Sequence, residues 1–195
     1  APGLIAGLIL LLVVAANAGT KEKIGELLKA ANAKGEFSGV VLIANGDRIE
    51  YSGAVGQANR QFNVANSIDT RFRICSLTKQ FTAMLVMQLV EAGKIDLDKP
   101  ISAYLPDFRK DTAARVTVRD LLMNASGLPD LPDEFYVSED ASAAKGDLVI
   151  AMYLQGELQF EPGTRFNYSN GDFIVLGSIV ERLSGRSFEE NLKQR

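Results

Sequence analysis

The hydrophobic pattern changes period near residue 70, and that change limits the folds open to this chain. Before it, "TKEKIGELLKAANAK" (20–34) has the spacing of an amphipathic helix, with Ile24, Leu27 and Leu28 on one face. "FSGVVLIANGDRIEYSGAVGQAN" then reads as a hairpin: Val40 to Ala44 form one strand, Asn45-Gly46 supply the turn, and Arg48 to Tyr51 begin the next. A two-stranded hairpin is marginal alone in water and needs further strands or a covering helix. After residue 70, apolar positions recur at helical spacing. The stretch from Ser76 to about Glu91 reads as a helix ended at Gly93, and "TVRDLLMNASGLPDLPDEF" as a short helix running into a Gly/Pro-rich loop. "GDLVIAMYLQG" is a further helix with Asp147 as cap, and "IVLGSIVERLSG" is a helix closed by Gly185. Ser187-Phe188-Glu189-Glu190 is a capping box that opens one more. Between these, "FEPGTRFNYSNGDF" is irregular. No repeat or linker divides the chain, so residues 19–195 are expected to form one α/β domain of α+β type.

The preceding residues read differently. "GLIAGLILLLVVAA" (3–16) is an apolar run followed by Ala16-Asn17-Ala18, a small-residue cleavage pattern. The run is short for a membrane span, which needs about 20 residues. Residues 1–18 are therefore expected to be a signal peptide clipped at its start, with a secreted or periplasmic mature chain that has no stable membrane span. A short buried helix is the plainer alternative.

Composition narrows the chemistry. Apolar residues make up 47% and charged residues 23%, which suits a globular core. The net charge is −3 and no Lys/Arg-rich run occurs, so nucleic acid is not expected as a partner. There is no histidine, which removes the Ser-His-Asp triad and nearly every zinc constellation. The one cysteine, Cys75, excludes an internal disulfide and is expected to be a buried structural thiol. Any general base must be Lys, Tyr, Asp or Glu. Asp96, Asp98 and the Glu189-Glu190 pair read as solvated turn and helix-start charges, and Met84 and Met87 as core helix residues. No cofactor or metal is implied.

Ser76 and Lys79 stand one turn apart at the start of the apolar helix. Ser-x-x-Lys is a weak pattern: with this chain's serines and lysines, chance gives about 0.6 matches. Ser142…Lys145, in the polar stretch "SEDASAAKGD", is the other match and reads as a solvated loop. Ser76 and Lys79 differ in context. They lie about 60° apart on a helix, and Ala83, Met87 and Val90 continue their face. A lysine on an apolar face is costly unless it snorkels or stays neutral, and burial would make it a usable base for the neighbouring hydroxyl. The helix N-terminus would favour an oxyanion there. The competing reading is an N-cap serine with a lysine reaching solvent.

Tyr168-Ser169-Asn170 is the only Tyr-x-Asn in the chain. A phenol of lowered pKa can relay a proton between lysine, serine and a leaving group, and an asparagine amide can hold a substrate carbonyl and orient the lysine. The alternative is an Asn-Gly turn with Tyr168 as a packing residue.

In order and context, "RFRICSLTKQFTAMLVMQLVEAGKIDLDKPISAYLP", "VTVRDLLMNASGLPD" and "FEPGTRFNYSNGDFIVLGSIVERLSG" resemble the serine β-lactamase and penicillin-binding protein superfamily. Within it they look like the class C β-lactamase-like group, with its related esterases and D-alanyl-D-alanine carboxypeptidases. The resemblance runs from about residue 22 to the end. It implies an antiparallel sheet packed on a helical cluster, with residues 36–58 supplying strands and roughly 60–195 the helices. It implies Ser76 as nucleophile, Lys79 as its general base partner, Tyr168 as proton relay and Asn170 as a substrate-contacting amide. The implied reaction is acyl transfer through an acyl-enzyme on a β-lactam, a D-Ala-D-Ala-type peptide or an ester. A non-catalytic penicillin-recognising or substrate-binding module of the same fold is the alternative.

Two departures stand out. The family usually has His-Thr-Ser-Gly where this chain has Asn124-Ala125-Ser126-Gly127, a change expected to bear on loop packing more than on chemistry. Its third motif, Lys-Thr-Gly or His-x-Gly on a sheet strand, has no match after Tyr168, where Lys193 is the only lysine. The sequence is thus expected to be the N-terminal part of a longer protein, ending before the C-terminal strands.

Overall fold

The computed structural model describes residues 19–107, 110–130 and 157–194. The expected signal peptide, the helix at "GDLVIAMYLQG" and the Ser142…Lys145 pair lie outside the described residues. Two compact units divide the chain between Arg73 and Ile74. Among the described residues no helix is long and apolar enough to cross a membrane.

In the first unit, helix α1 (Gly19–Ala33) packs against strand β2 (Arg48–Val55), which pairs antiparallel with β1 (Gly39–Asn45). Ile24 is the buried residue of α1, whereas Leu27, expected on the same face, is 45% exposed. Tyr51 explains the contact: its hydroxyl comes up against Gly25, where the absence of a side chain lets helix and strand approach. The hairpin turn is Gly46-Asp47, one residue later than the sequence suggested, because Asn45 still pairs with Arg48. The register slips between Ile43 and Ala44, a β-bulge that leaves Glu50 unmatched. A short second ladder joins β3 (Gln57–Asn59) and β4 (Val64–Ala65). The bend between the ladders is tied by Ser38, whose Oγ accepts the Gln57 N–H at 3.1 Å and an Asn66 amide hydrogen at 3.2 Å.

The second unit is helical. A 3-10 turn at Cys75–Leu77 leads into α2 (Thr78–Glu91), followed by a 3-10 turn at Ile101–Ala103 and the short helices α3 (Lys110–Ala113) and α4 (Val118–Leu122). After the segment that is not described come α5 (Asn170–Ser184) and α6 (Phe188–Lys193). Helices α2 and α4 both pack on α5, with Val86, Leu121, Leu176 and Ile179 fully buried at the centre. Burying a side chain of this size contributes about 1.5–3 kcal/mol. Helix α4 begins with a Thr117/Asp120 capping box that the sequence reading did not single out. Helix α5 ends at Gly185 with φ 69°, and α6 begins with the expected Ser187/Glu190 box. Asp98 pairs with Arg119 in solvent and Glu189 with Lys193, as expected for surface charges.

Two expectations for this unit are corrected. The buried face of α2 is Thr82, Leu85, Val86 and Leu89, while Met84 and Met87 are 60% and 44% exposed. The helix is apolar on most sides, so its sequence marks a helix without marking which face the neighbours cover. Leu77, Phe81 and Met84 lie on the side opposite the core. Cys75 is exposed rather than buried. It has φ 46° in the turn before α2, a left-handed conformation uncommon for a non-glycine residue, and this takes it off the helix's inward face.

The segment after α4 lies against the irregular segment before α5. The Gly127 carbonyl accepts the Gln159 N–H at 2.7 Å, and the Ala125 carbonyl accepts that of Gly163 at 2.8 Å. Gly127 has φ 74°, and a Cβ there would sit 2.3 Å from the Phe160 carbonyl oxygen. Gly127→Ala therefore meets both left-handed strain and a backbone clash. It is expected to destabilise the protein by about 2 kcal/mol or more, read as a lower midpoint in urea unfolding at unchanged slope.

Candidate active site

Ser76 and Lys79 are placed by the tight turn into α2, and Tyr168 and Asn170 by the approach to α5. The strained Cys75 backbone sets the turn, so Ser76 leaves the chain just before the first α-helical residue, Thr78. Strain of this kind costs about 1–3 kcal/mol and is held by its surroundings. Lys79 follows one turn on, at the border of the buried face: it is half-buried, as are Ala83 and Val90 on its side of the helix.

All four residues singled out in the sequence converge. Ser76 Oγ lies 2.7 Å from Tyr168 OH. Lys79 Nζ donates to Tyr168 OH at 2.8 Å and to Asn170 Oδ1 at 2.5 Å, and lies 3.4 Å from Ser76 Oγ. The same ammonium nitrogen stands 4.6 Å from the Tyr168 ring centroid and 5.4 Å from that of Phe173. Phe173 was not anticipated; it follows Asn170 by three residues on α5, a spacing that returns it to the same side. Tyr168 is 46% exposed, and Ser76 is exposed.

Charge and hydrogen bonding tune the phenol. The hydrogen bond from Lys79 holds the Tyr168 pKa below the usual tyrosine value, and the contact with Ser76 lowers it further. Partial burial and the Asp130 carboxylate act in the opposite direction. The Tyr168 oxygen is the nearer neighbour of the Ser76 hydroxyl. Lys79 is the more distant of the two from Ser76 Oγ, by 3.4 Å against 2.7 Å.

Three residues to which the sequence reading gave no role in the site surround this cluster. Asn124 Oδ1 accepts the buried Ser169 N–H at 2.8 Å. Asp130 Oδ1 accepts the N–H of Asn170 at 3.1 Å. Ser126 Oγ donates to Asp172 Oδ1 at 2.6 Å, fully inside the protein. Asn124 has φ 51° directly after α4, the position where a helix commonly ends on asparagine or glycine, and this was the one local signal available. The Asn124 amide thus touches the backbone between Tyr168 and Asn170.

The beta-lactamase family model matches residues 24–195. The chain is 32% identical over 170 residues to penicillin-binding protein 4* of Bacillus subtilis, covering 86% of this chain and 37% of that protein. It is also 32% identical over 170 residues to the D-aminopeptidase of Brucella canis, covering 84% of this chain and 31% of the relative. Among solved structures, the penicillin binding protein from Bacillus halodurans superposes with a TM-score of 0.74 at 35% identity, over 86% of this chain and 51% of the other. The chain spans about a third of the length of these curated relatives. Its helices and small antiparallel sheets are those of the β-lactamase and penicillin-binding protein fold, as its sequence led us to expect. With the match extending over most of its residues, the chain belongs to the beta-lactamase family.

Proposed function

We propose that this chain carries the nucleophile of an exported serine hydrolase that forms an acyl-enzyme on Ser76. The observation that supports it most is the mutual hydrogen bonding of Ser76, Tyr168 and Lys79, with Tyr168 made more acidic by Lys79. A hydroxyl at its ordinary pKa is a weak nucleophile, and an adjacent base of matched pKa is what activates it. In this reading Ser76 Oγ attacks a carbonyl carbon while its proton passes to the Tyr168 oxygen. The tetrahedral intermediate collapses as Tyr168 returns that proton to the departing nitrogen or oxygen. Water then attacks the Ser76 ester by the same path and releases the acid. Lys79 donates to the phenol oxygen, and Asn170 accepts from Lys79 and holds it in place. Export is proposed from the apolar run at 3–16 and the Ala16-Asn17-Ala18 pattern.

The substrate class we propose is an amide, β-lactam or ester carbonyl next to a D-configured residue. Relatives named as a penicillin-binding protein and a D-aminopeptidase support it. The test is to expose the full-length protein to labelled penicillin, to D- and L-alanine p-nitroanilide and to a short p-nitrophenyl ester, following both protein mass and released product. Turnover of the D-configured substrate in preference to the L-form supports the hydrolase. A lasting penicillin adduct with no turnover of any probe supports a recognition module instead, and neither adduct nor turnover rejects the reading.

A further inference from the structure

Three successive backbone N–H groups at the start of α5 are taken by two side chains from one loop. Asn124 Oδ1 accepts from Ser169 at 2.8 Å, and Asp130 Oδ1 accepts from Asn170 at 3.1 Å and from Gly171 at 3.4 Å. The next N–H, that of Asp172, is taken by Ser169 Oγ at 3.2 Å. The two segments are also joined through main chain, with the Asn124 carbonyl accepting the Asn167 N–H at 2.7 Å. Asn124 and Asp130 thus grip both sides of Ser169, whose neighbours are Tyr168 and Asn170. Those neighbours carry two of the three oxygens that Lys79 meets, the third being Ser76 Oγ. A segment without regular hydrogen bonding before a helix has many accessible conformations, and each anchored N–H removes some of them.

We propose that Asn124 and Asp130 are positioning residues that hold Tyr168-Ser169-Asn170 by its backbone, fixing Tyr168 OH and Asn170 Oδ1 on Lys79. This rests on the serine hydrolase reading for its catalytic consequence, and on the hydrogen bonds alone for its structural one. Neither residue reaches the reacting atoms, so their effect is on how often the phenol and the amide are in place. Misplacing a proton acceptor by about 1 Å is enough to cost 10²-fold in rate.

The test uses the full-length protein with Asn124→Gly, Asp130→Ala and Asp130→Asn. Glycine tolerates the left-handed backbone at 124 and so removes the side chain without adding backbone strain, while asparagine at 130 keeps an acceptor oxygen. Three quantities are measured beside the melting temperature: NMR amide exchange at 169–171, the titration of the Tyr168 phenol, and the acylation rate constant with its KM. We expect faster exchange at Ser169 in Asn124→Gly and at Asn170 and Gly171 in Asp130→Ala. Tyr168 in Asn124→Gly should titrate closer to the ordinary tyrosine value, because it spends less time on Lys79. Lys79 and Asp130 are the charged groups acting on that phenol, and Asn124→Gly leaves both present. Acylation should fall about 10- to 100-fold with KM within about threefold, and Asp130→Asn should recover to within about threefold of wild type. Unchanged exchange at these amides overturns the clamp. Faster exchange with unchanged Tyr168 titration and acylation overturns the positioning role, as does a rate loss that follows melting temperature and is not rescued by Asp130→Asn. If the wild-type protein forms no adduct, the hydrolase reading fails, and exchange with Tyr168 titration still decides the clamp.

Discussion

Ser76→Ala is expected to leave no covalent adduct with any acylating probe and to lower turnover by about 10⁴-fold or more. The substitution removes the oxygen that lies 2.7 Å from Tyr168 OH and one helical turn from Lys79. Cys75, its neighbour, is exposed and sits in a left-handed turn, and no histidine exists in the chain to deprotonate a thiol. The same substitution at Ser142, the other serine followed by lysine three residues on, is expected to change nothing, since its surroundings in sequence are polar and acidic. Adduct mass by intact-protein spectrometry, with turnover measured on the same samples, checks both. An adduct persisting in Ser76→Ala would move the nucleophile elsewhere.

The second large effect is that of Lys79→Met, which keeps most of the apolar stem and removes the charge. Acylation is expected to fall by about 10³-fold. Two losses combine. The phenol of Tyr168 loses the hydrogen bond that chiefly lowers its pKa, so less phenolate is present at neutral pH. Asn170 Oδ1 loses its 2.5 Å partner as well, so the approach to α5 is less tied to α2. The sign follows from the direction of the shift. A phenol depressed in the native protein is a base over a pH range where an ordinary tyrosine is not, and removing Lys79 moves the rising limb of the rate profile to higher pH. A pH–rate profile of single-turnover acylation reads this directly. A uniform loss at every pH, with no displacement of the limb, would mean that Lys79 acts by packing alone.

The parts of this site that the sequence exposes are local ones. Ser76 and Lys79 are one turn apart, Tyr168 and Asn170 two residues apart, and short spacing of chemically unusual residues survives in a linear reading. The helix at 78–91 and the capping box at Ser187 are legible for the same reason. What spacing does not carry is which neighbour covers a given face. Met84 and Met87 belong to a helix that is apolar almost all round, and the docking of its neighbours, α5 foremost, selects Leu85, Val86 and Leu89 as the core side. The contacts of Asn124 and Asp130 span tens of residues of chain and involve backbone N–H groups, which every residue has. Such a clamp leaves no periodic trace. The left-handed conformation at Cys75 is likewise imposed by the turn it must make, because nothing about cysteine favours it.

The proton path from Ser76 to Tyr168 beside Lys79 is tested most directly by titrating the tyrosine phenols in ¹³C-tyrosine-labelled full-length protein, with Tyr168→Phe to assign the resonance. Tyr168 is expected to titrate below the ordinary tyrosine value, as the acceptor of the Lys79 hydrogen bond, and to rise toward that value in Lys79→Met. A Tyr168 that titrates at the ordinary value in the wild-type protein, unmoved by Lys79→Met, would contradict it.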